Sequence, residues 1–323
     1  MKIVITGSNG FIGNALVARI LEQNGLGAGH PELTELCLVD LQLPEYTDPR
    51  VTRVVGSIAD ASVREAAAGG DPDVFYHMAS LPGGASERNF EAGYAVNVDA
   101  TFALFRLLAK QAVPVKLVFA STIAVFGVPL PDYLDDETLP MPGLSYGAQK
   151  LMGEMLLNDM SRRKMVDARS VRLSGILARP SGPSGLISAY LSDVIHAARK
   201  GEHYTVPVSK AAPTWVLSQT RCIDNLIHAA RVPGEALPAR RIWTFPALRL
   251  TIGEQVGAMA ELLGPHVHDL ISYKPVESIE KQFGNYPPLS TKLADSIGFT
   301  HDGDPISFMR RVFEALDAEE AKT

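Results

Sequence analysis

From Lys2 to Gly175 the chain keeps returning to short apolar runs, each followed by a stretch with helical spacing, and few folds accommodate that rhythm. The runs are "KIVIT" (2 to 6), "LCLVD" (36 to 40), "VTRVVGS" (51 to 57), "DVFYHMAS" (73 to 80), "VKLVFAST" (115 to 122) and "ARSVRLSG" (168 to 175). Between them lie "GFIGNALVARILEQ", a short helix near 62 to 68, a long helical pattern from about Asn89 to Gln111, and another from Ser145 to about Arg163. Strands that are apolar on both faces need helices on both sides, which predicts a parallel sheet. Right-handed crossovers then give an α/β fold with a Rossmann-type doubly wound sheet.

Past residue 176 the rhythm loosens. "LARPSGPSG" reads as a Pro/Gly loop, "ISAYLSDVIHAARKG" as a helix, "RIWTF" as a strand, "TIGEQVGAMAELLG" as a helix closed by Gly264, and Pro305 to Ala318 as a final helix. The expected organisation is a sheet domain over 1–175, with late strand returns from about 211–246. Residues 176–323 form mainly a smaller lobe closing over the C-terminal edge of the sheet.

Composition narrows the function classes. The 323 residues are 46% hydrophobic and 20% charged, enough for a sizeable core. The formal charge of −6, with no basic run, argues against a nucleic-acid surface. No apolar run approaches the roughly 18–20 residues of a membrane span, and "MKIVITG" enters a strand without the pattern of a signal peptide. The two cysteines, Cys37 and Cys222, are not paired by any motif, so a reducing cytoplasm is expected. His266 and His268 in "PHVHD" read as a loop or strand-edge pair, and no metal is expected.

The strongest local signal is "VITGSNGFIG". Gly7, Gly10 and Gly13, with Asn9, Phe11 and Ile12 among them, stand between a strand and a helix. Glycines there permit a tight turn and let backbone N–H groups approach a pyrophosphate at the helix N-terminus. Asp40, ending the second strand, can accept hydrogen bonds from ribose hydroxyls and would repel a 2′-phosphate, favouring NAD over NADP. It lies farther from the glycines than the usual ~20 residues, because "NGLGAGHPELTE" lengthens the connection. Asp60 in "GSIAD" is placed to meet the adenine edge or to cap a helix.

Ser121 and Thr122 end the fifth strand, and "LSYGAQK" follows, with Tyr146 and Lys150 one helical turn apart. By itself such a pair is ordinary surface decoration. A free tyrosine titrates near ~10 and is a poor base at neutral pH; a neighbouring ammonium and a positive nicotinamide would favour its phenolate.

In combination these residues resemble the extended short-chain dehydrogenase/reductases, which include nucleotide-sugar epimerases and dehydratases. The glycine motif, Asp60, "HMAS", Asn97 in "AVNVDAT", the Ser/Thr strand end and "YGAQK" all match, over nearly the whole chain. The resemblance implies NAD as cofactor, with Ile58, Met78, Ala79, Ser80, Asn97, Ser121, Tyr146, Lys150 and Leu173 joining the glycine loop, Asp40 and Asp60 around it. It implies Tyr146 as the base that takes a hydroxyl proton while hydride leaves the same carbon, Lys150 as its partner and a holder of the nicotinamide ribose, and Thr122, with Ser121 beside it, as orienting groups. It also implies a homodimer built on the helices near 89–111 and 145–163, although a core-facing stripe would give the same periodicity.

Departures from the family pattern narrow the substrate. Gly175 in "RLSG" replaces the usual asparagine, Phe126 replaces the tyrosine of "VYG", and "SLPGGASERNFEAGY" (80 to 94) holds a Gly-Gly pair suited to close approach of a small ligand. The combination of "SLPGGASE", "STIAVFG", "YGAQK" and "RLSGILARPSGPSG" resembles a branch that oxidises the 2-hydroxyl of short aldonic acids to 2-keto acids. Such an acid needs a cation, and Arg179 is the first candidate, with Arg88 and Lys210 as rivals. Ser80, Pro82, Gly83, Thr122, Tyr146, Ser174 and Trp215 are candidates to line the substrate site. Two other functions stay open: a nucleotide-sugar epimerase that retains its NAD, and a non-catalytic dinucleotide sensor.

Overall fold

The structure is a computed structural model that describes residues 1–127, 129–179 and 187–321. By compactness the chain divides into two units, one of Met1–Gly127, Pro140–Leu173 and Ile223–Thr244, the other of Val128–Leu139, Ser174–Cys222 and Phe245–Thr323.

The first unit is built on a seven-stranded parallel sheet. Its strands are β1 (Lys2–Thr6), β2 (Glu35–Asp40), β3 (Val51–Val55), β4 (Val74–His77), β5 (Lys116–Thr122), β6 (Asp167–Leu173) and, from much later in the chain, Ile242–Thr244. The late strand lies beside β6, and the order then runs β5, β4, β1, β2, β3. β1 therefore sits between β2 and β4, the point at which successive crossovers change direction, and doubly wound sheets bind ligands beyond the carboxyl ends of strands there. The central strands are buried except at their end residues, because helices cover both faces. β3, at the margin, is not: Thr52 and Arg53 are exposed.

Helix α1 (Phe11–Glu22) follows the glycine loop, and α2 (Ala61–Ala68) follows β3. The expected long helix from Asn89 is broken. Asn89 caps a helical turn, Phe90–Tyr94, by accepting from Ala92 N–H at 3.0 Å; the chain widens into a π-type turn over Ala95–Ala100, then continues as an α-helix over Thr101–Leu108. Within this turn Asn97 is buried and held by four hydrogen bonds to residues outside its helix, described below. The Gly-Gly pair of "SLPGGASE" opens a short helix, Gly83–Arg88.

The second unit has its own core of aliphatic and aromatic residues, including Leu177, Val194, Val216, Met259, Phe308 and Val312. Pro213–Leu217 pairs antiparallel with Leu248–Thr251 and parallel with Gly175–Ile176, and Tyr204–Val206 pairs with Ile271–Tyr273. The expected helices are found at Tyr190–Lys200, Ile252–Leu263 and Pro305–Glu320. His266 and His268 flank Val267 at a one-turn helix, Val267–Leu270, rather than in a loop or strand edge. Among the described residues no cluster of side chains could hold a metal ion, and no helix is long and apolar enough to cross a membrane.

Candidate active site

The turn after β1 has the shape that its glycines allow. Gly7 lies at φ +71°, and a methyl group there would meet the Ala79 nitrogen at 2.7 Å and the Met78 carbonyl carbon at 2.8 Å. Gly13 lies in the first turn of α1, where a Cβ would run into the Gly7 carbonyl oxygen. Gly7 N–H donates to the Val39 carbonyl at 2.8 Å and Gly10 N–H to the Gly7 carbonyl at 3.2 Å. Gly10 is the N-cap of α1 and brings no side chain over its first turn, while Asn9 is exposed and Phe11 and Ile12 are half-buried. A cradle of backbone at a helix N-terminus, which any side chain would fill, fits the pyrophosphate of a dinucleotide.

Asp40 stands beside this loop. One carboxylate oxygen accepts from Asn9 N–H at 2.8 Å and the other from Leu41 N–H at 2.7 Å, so the group is oriented with lone pairs left for a ribose diol. The long connection that precedes β2 folds back on itself through a Gly25–Glu32 bridge, so its extra length does not displace Asp40 from the glycines. Asp60 is exposed at the N-cap position of α2, yet its side chain makes no capping bond. Ile58 is buried, and Arg64 holds its carbonyl at 2.6 Å. Met78, Ala79 and Ser80 follow β4, half-buried, with Met78 N–H donating to the Thr6 carbonyl at 3.0 Å.

The helix Ser145–Arg162 brings Tyr146 and Lys150 against β5. Its first turn is met by Glu87, whose carboxylate accepts from Ser145 N–H. Two glycines set its distance from the strand: a Cβ on Gly147 would collide with the Ala124 carbonyl, and one on Gly153 would lie 2.9 Å from the Phe119 ring. Held this close, Lys150 is 2% exposed, its ammonium 4.7 Å from the Phe119 ring centroid and 5.8 Å from that of Tyr146. Burial lowers its pKa to about 7, opposed by the nearby Glu154 carboxylate. Tyr146 is half-buried, and a Cβ added at Gly83 would lie 3.8 Å from its Cδ1.

Ser121 and Thr122 part company at the strand end. Ser121 is buried and donates its hydroxyl to Glu154 Oε1 at 2.5 Å, whereas Thr122 is half-buried and accepts from Ala124 N–H at 3.1 Å. Asn97 is likewise committed to protein. Its amide donates to the Leu81 carbonyl (2.9 Å), Gln149 Oε1 (2.7 Å) and Ser86 Oγ (3.3 Å), and its oxygen accepts from Leu81 N–H (2.8 Å). It fixes the 81–86 segment rather than pointing at open space.

Three buried polar residues escaped sequence reasoning. His77 bridges Thr6 Oγ1 at 2.7 Å and Thr101 Oγ1 at 3.1 Å, and burial, then Lys150, lowers its pKa to about 3. Glu154 is paired with Arg172, whose Nη2 and Nε lie 2.7 and 2.9 Å from its oxygens. The available signal was Arg172 itself: a charge inside a strand buried on both faces needs a partner.

In the second unit, Ser174 is buried and its hydroxyl makes no hydrogen bond among the described residues. Leu173, the last residue of β6, is buried. Trp215 is a core residue, 1% exposed, with its indole N–H on the Pro287 carbonyl at 2.8 Å. Of the basic candidates, Arg88 and Lys210 are exposed. Arg179 is half-buried after Ala178, which adopts φ +61°, and its backbone is anchored by Ser192 Oγ (3.3 Å) and His196 Nε2 (2.7 Å). Pro82 is exposed at the N-cap of the Gly83–Arg88 helix. The rest of the "RPSGPSG" loop lies outside the described residues.

Comparison with known proteins agrees with this geometry. Residues 3–221 match the model of the NAD dependent epimerase/dehydratase family. The D-erythronate dehydrogenase of Cupriavidus necator is 32% identical, covering 97% of this chain and 98% of its own. The D-erythronate dehydrogenase of Haemophilus influenzae is 29% identical, covering 94% and 96%. A crystal structure of the nucleoside-diphosphate-sugar epimerase from Agrobacterium tumefaciens superposes with a TM-score of 0.91 at 30% identity, covering 97% of this chain and 94% of that one. With a family match over most of its length and a cradle that fits the dinucleotide, the chain belongs to the NAD-dependent epimerase/dehydratase family and is an oxidoreductase whose cofactor is NAD.

Proposed function

We propose that the chain oxidises the 2-hydroxyl of D-erythronate, or of a similar short aldonic acid, to the 2-keto acid. One observation carries the reading: the buried Lys150 ammonium lies 4.7 Å from the Phe119 ring of β5 and 5.8 Å from the Tyr146 ring, in a chain similar over nearly its whole length to two D-erythronate dehydrogenases. Bound NAD supplies the hydride acceptor. Gly7, Gly10 and Gly13 would hold its pyrophosphate and Asp40 its adenosine ribose, and Ile58, Asp60, Met78, Ala79, Ser80 and Leu173 would line the same site. Tyr146 removes the proton of the 2-hydroxyl, and Lys150 favours the phenolate and holds the nicotinamide ribose. Thr122 orients the reacting oxygen, since the Ser121 proton is already donated to Glu154. Arg179 is our candidate for the substrate carboxylate, with a planar fork suited to a bidentate contact; Ser174 and the Pro82–Gly83 segment are secondary candidates.

The similarity to the Agrobacterium tumefaciens structure favours a second reading, a nucleotide-sugar epimerase with retained NAD. Absorbance at the NADH band, with NAD and a panel of four- to six-carbon aldonic acids including D-erythronate, separates the two. NADH formed in proportion to the acid, and lost by a factor of ~10²–10⁴ in Tyr146→Phe without loss of NAD binding, is the expected result. Silence across the panel with conversion of a UDP-sugar would move the protein to the epimerase reading. Silence on both with NAD still bound would leave a sensor.

We also propose that the protein is a homodimer through the helices Phe90–Tyr94 and Ser145–Arg162. Phe90, Met152 and Met155 are large apolar side chains on these helices left 55%, 37% and 58% exposed.

A further inference from the structure

The Ser145–Arg162 helix carries three chemically active side chains in line, Tyr146, Lys150 and Glu154, each one turn from the next. The mechanism uses the first two. Glu154 is fully buried and has three donated hydrogen bonds at short range: Ser121 Oγ at 2.5 Å, Arg172 Nη2 at 2.7 Å and Arg172 Nε at 2.9 Å. Ser121 and Arg172 are register partners on β5 and β6, so both strands present a donor to the same carboxylate. The Arg172 guanidinium is itself fixed, its carbon 5.0 Å above the Phe126 ring centroid. A buried carboxylate with this many donors has one orientation, and an ion pair of this kind is costly to bury for stability alone.

We propose that the Ser121–Glu154–Arg172 cluster is a positioning device for the catalytic pair, holding a fixed negative charge one turn beyond Lys150 and so keeping that lysine protonated where Tyr146 needs it. The proposal rests on the role given above to Tyr146 and Lys150. Glu154 is the group that raises the Lys150 pKa against the effect of burial. Phe119, under the ammonium, presents a ring face that also favours the cation; buried His77 from β4 lies in the field of Lys150 with its pKa lowered; Arg172 on β6 is paired with Glu154. Glu154 is therefore the counter-charge, and Arg172 with Ser121 sets where it stands. A glutamate with its proton-free oxygens elsewhere would leave an ammonium in an apolar pocket, where desolvation removes its proton.

The test reads Lys150 directly. Protein labelled with ¹³C at the lysine ε-carbon is titrated by NMR without cofactor, and the Lys150 signal is assigned by its disappearance in Lys150→Met. The wild-type midpoint is expected near neutrality, in accord with the lowered pKa of about 7. In Glu154→Gln the midpoint should fall by on the order of one pH unit, and Glu154→Asp should return it toward the wild-type value. Because Glu154→Gln leaves the Arg172 guanidinium partly unsatisfied, the double variant Glu154→Gln/Arg172→Met, in which neither member of that ion pair remains, is titrated beside it. A midpoint lowered in the folded variants supports the proposal; a midpoint equal to wild type in both overturns it. In the active enzyme, the acid limb of kcat/KM should move to higher pH in the same variants, a change that lost packing alone would not produce. Absence of turnover with aldonic acids would sink the substrate reading and leave the NMR result standing, so the two failures are distinguishable.

Discussion

His77 shows how far a single buried residue can couple the molecule to pH. Its ring is fully enclosed, stacked on Phe119 with centroids 5.8 Å apart, and both nitrogens are engaged by threonine hydroxyls. Burial lowers its pKa from 6.5 to about 3. Between those values the unfolded chain binds a proton that the folded chain does not, so stability falls as pH drops through this window. One such proton costs about 1.4 kcal/mol per pH unit. Urea unfolding at a series of pH values should therefore show a decline below ~6.5 that is shallower in His77→Asn, even though that variant is less stable at pH 8. Equal slopes in the two proteins would show that His77 is not the group responsible. None of this was legible in "DVFYHMAS", where a histidine in an apolar run has no visible partner; Thr6 and Thr101 reach it only through the fold. Glu154 was hidden for the opposite reason. Lys150 and Glu154 at i and i+4 look like a solvated surface pair, and both are buried.

At the scale of elements, most of what the sequence predicted survives because periodicity and glycine placement are local properties. The strands β1 to β6 and the Ser145–Arg162 helix fall within a residue or a few of their expected positions, as strand ends and helix ends usually do. The π-type turn at Ala95–Ala100 was not legible. It depends on Asn97 finding Leu81, Ser86 and Gln149, none of which lies in its own helix. The close seat of the Ser145–Arg162 helix was half visible, as glycines inside a helical pattern that ordinarily costs stability. Its reason lies in Phe119. Replacing Gly153 by alanine gains up to ~1 kcal/mol of helix propensity, but the new methyl group lies 2.9 Å from that ring. Overpacking costs typically ~1–3 kcal/mol, so Gly153→Ala should unfold at lower urea and lose kcat as Tyr146 and Lys150 are moved from β5. A more stable variant with unchanged kcat would count against this account of the docking.

For the whole molecule, the fold class followed from the alternation of strands and helices, and the family from a handful of motifs set on that frame. The proposed substrate rests on the departures, Phe126 and Gly175 among them, and on the branch that motifs such as "SLPGGASE" resemble, and the departures speak about what is not bound more than what is. Assembly is written on exposed surface, where composition alone gives little. Light scattering on a size-exclusion column should report about twice the chain mass at micromolar concentration, and Met155→Glu, which puts a charge on the exposed apolar face, should reduce it to one chain. A wild-type monomer would remove the dimer proposal without touching the active-site argument.

The open margin of the main sheet has a consequence for how crowded a solution the protein can tolerate. A bare strand edge is a template on which another chain can add a strand and begin a fibre. β3 is short, and its exposed Arg53 reaches out to the carbonyls of Pro44 at 3.1 Å and Leu43 at 3.5 Å and to the Glu45 carboxylate at 2.7 Å. A five-residue strand carrying an exposed charge presents a short and poor template, and so limits growth of the sheet beyond its own last strand.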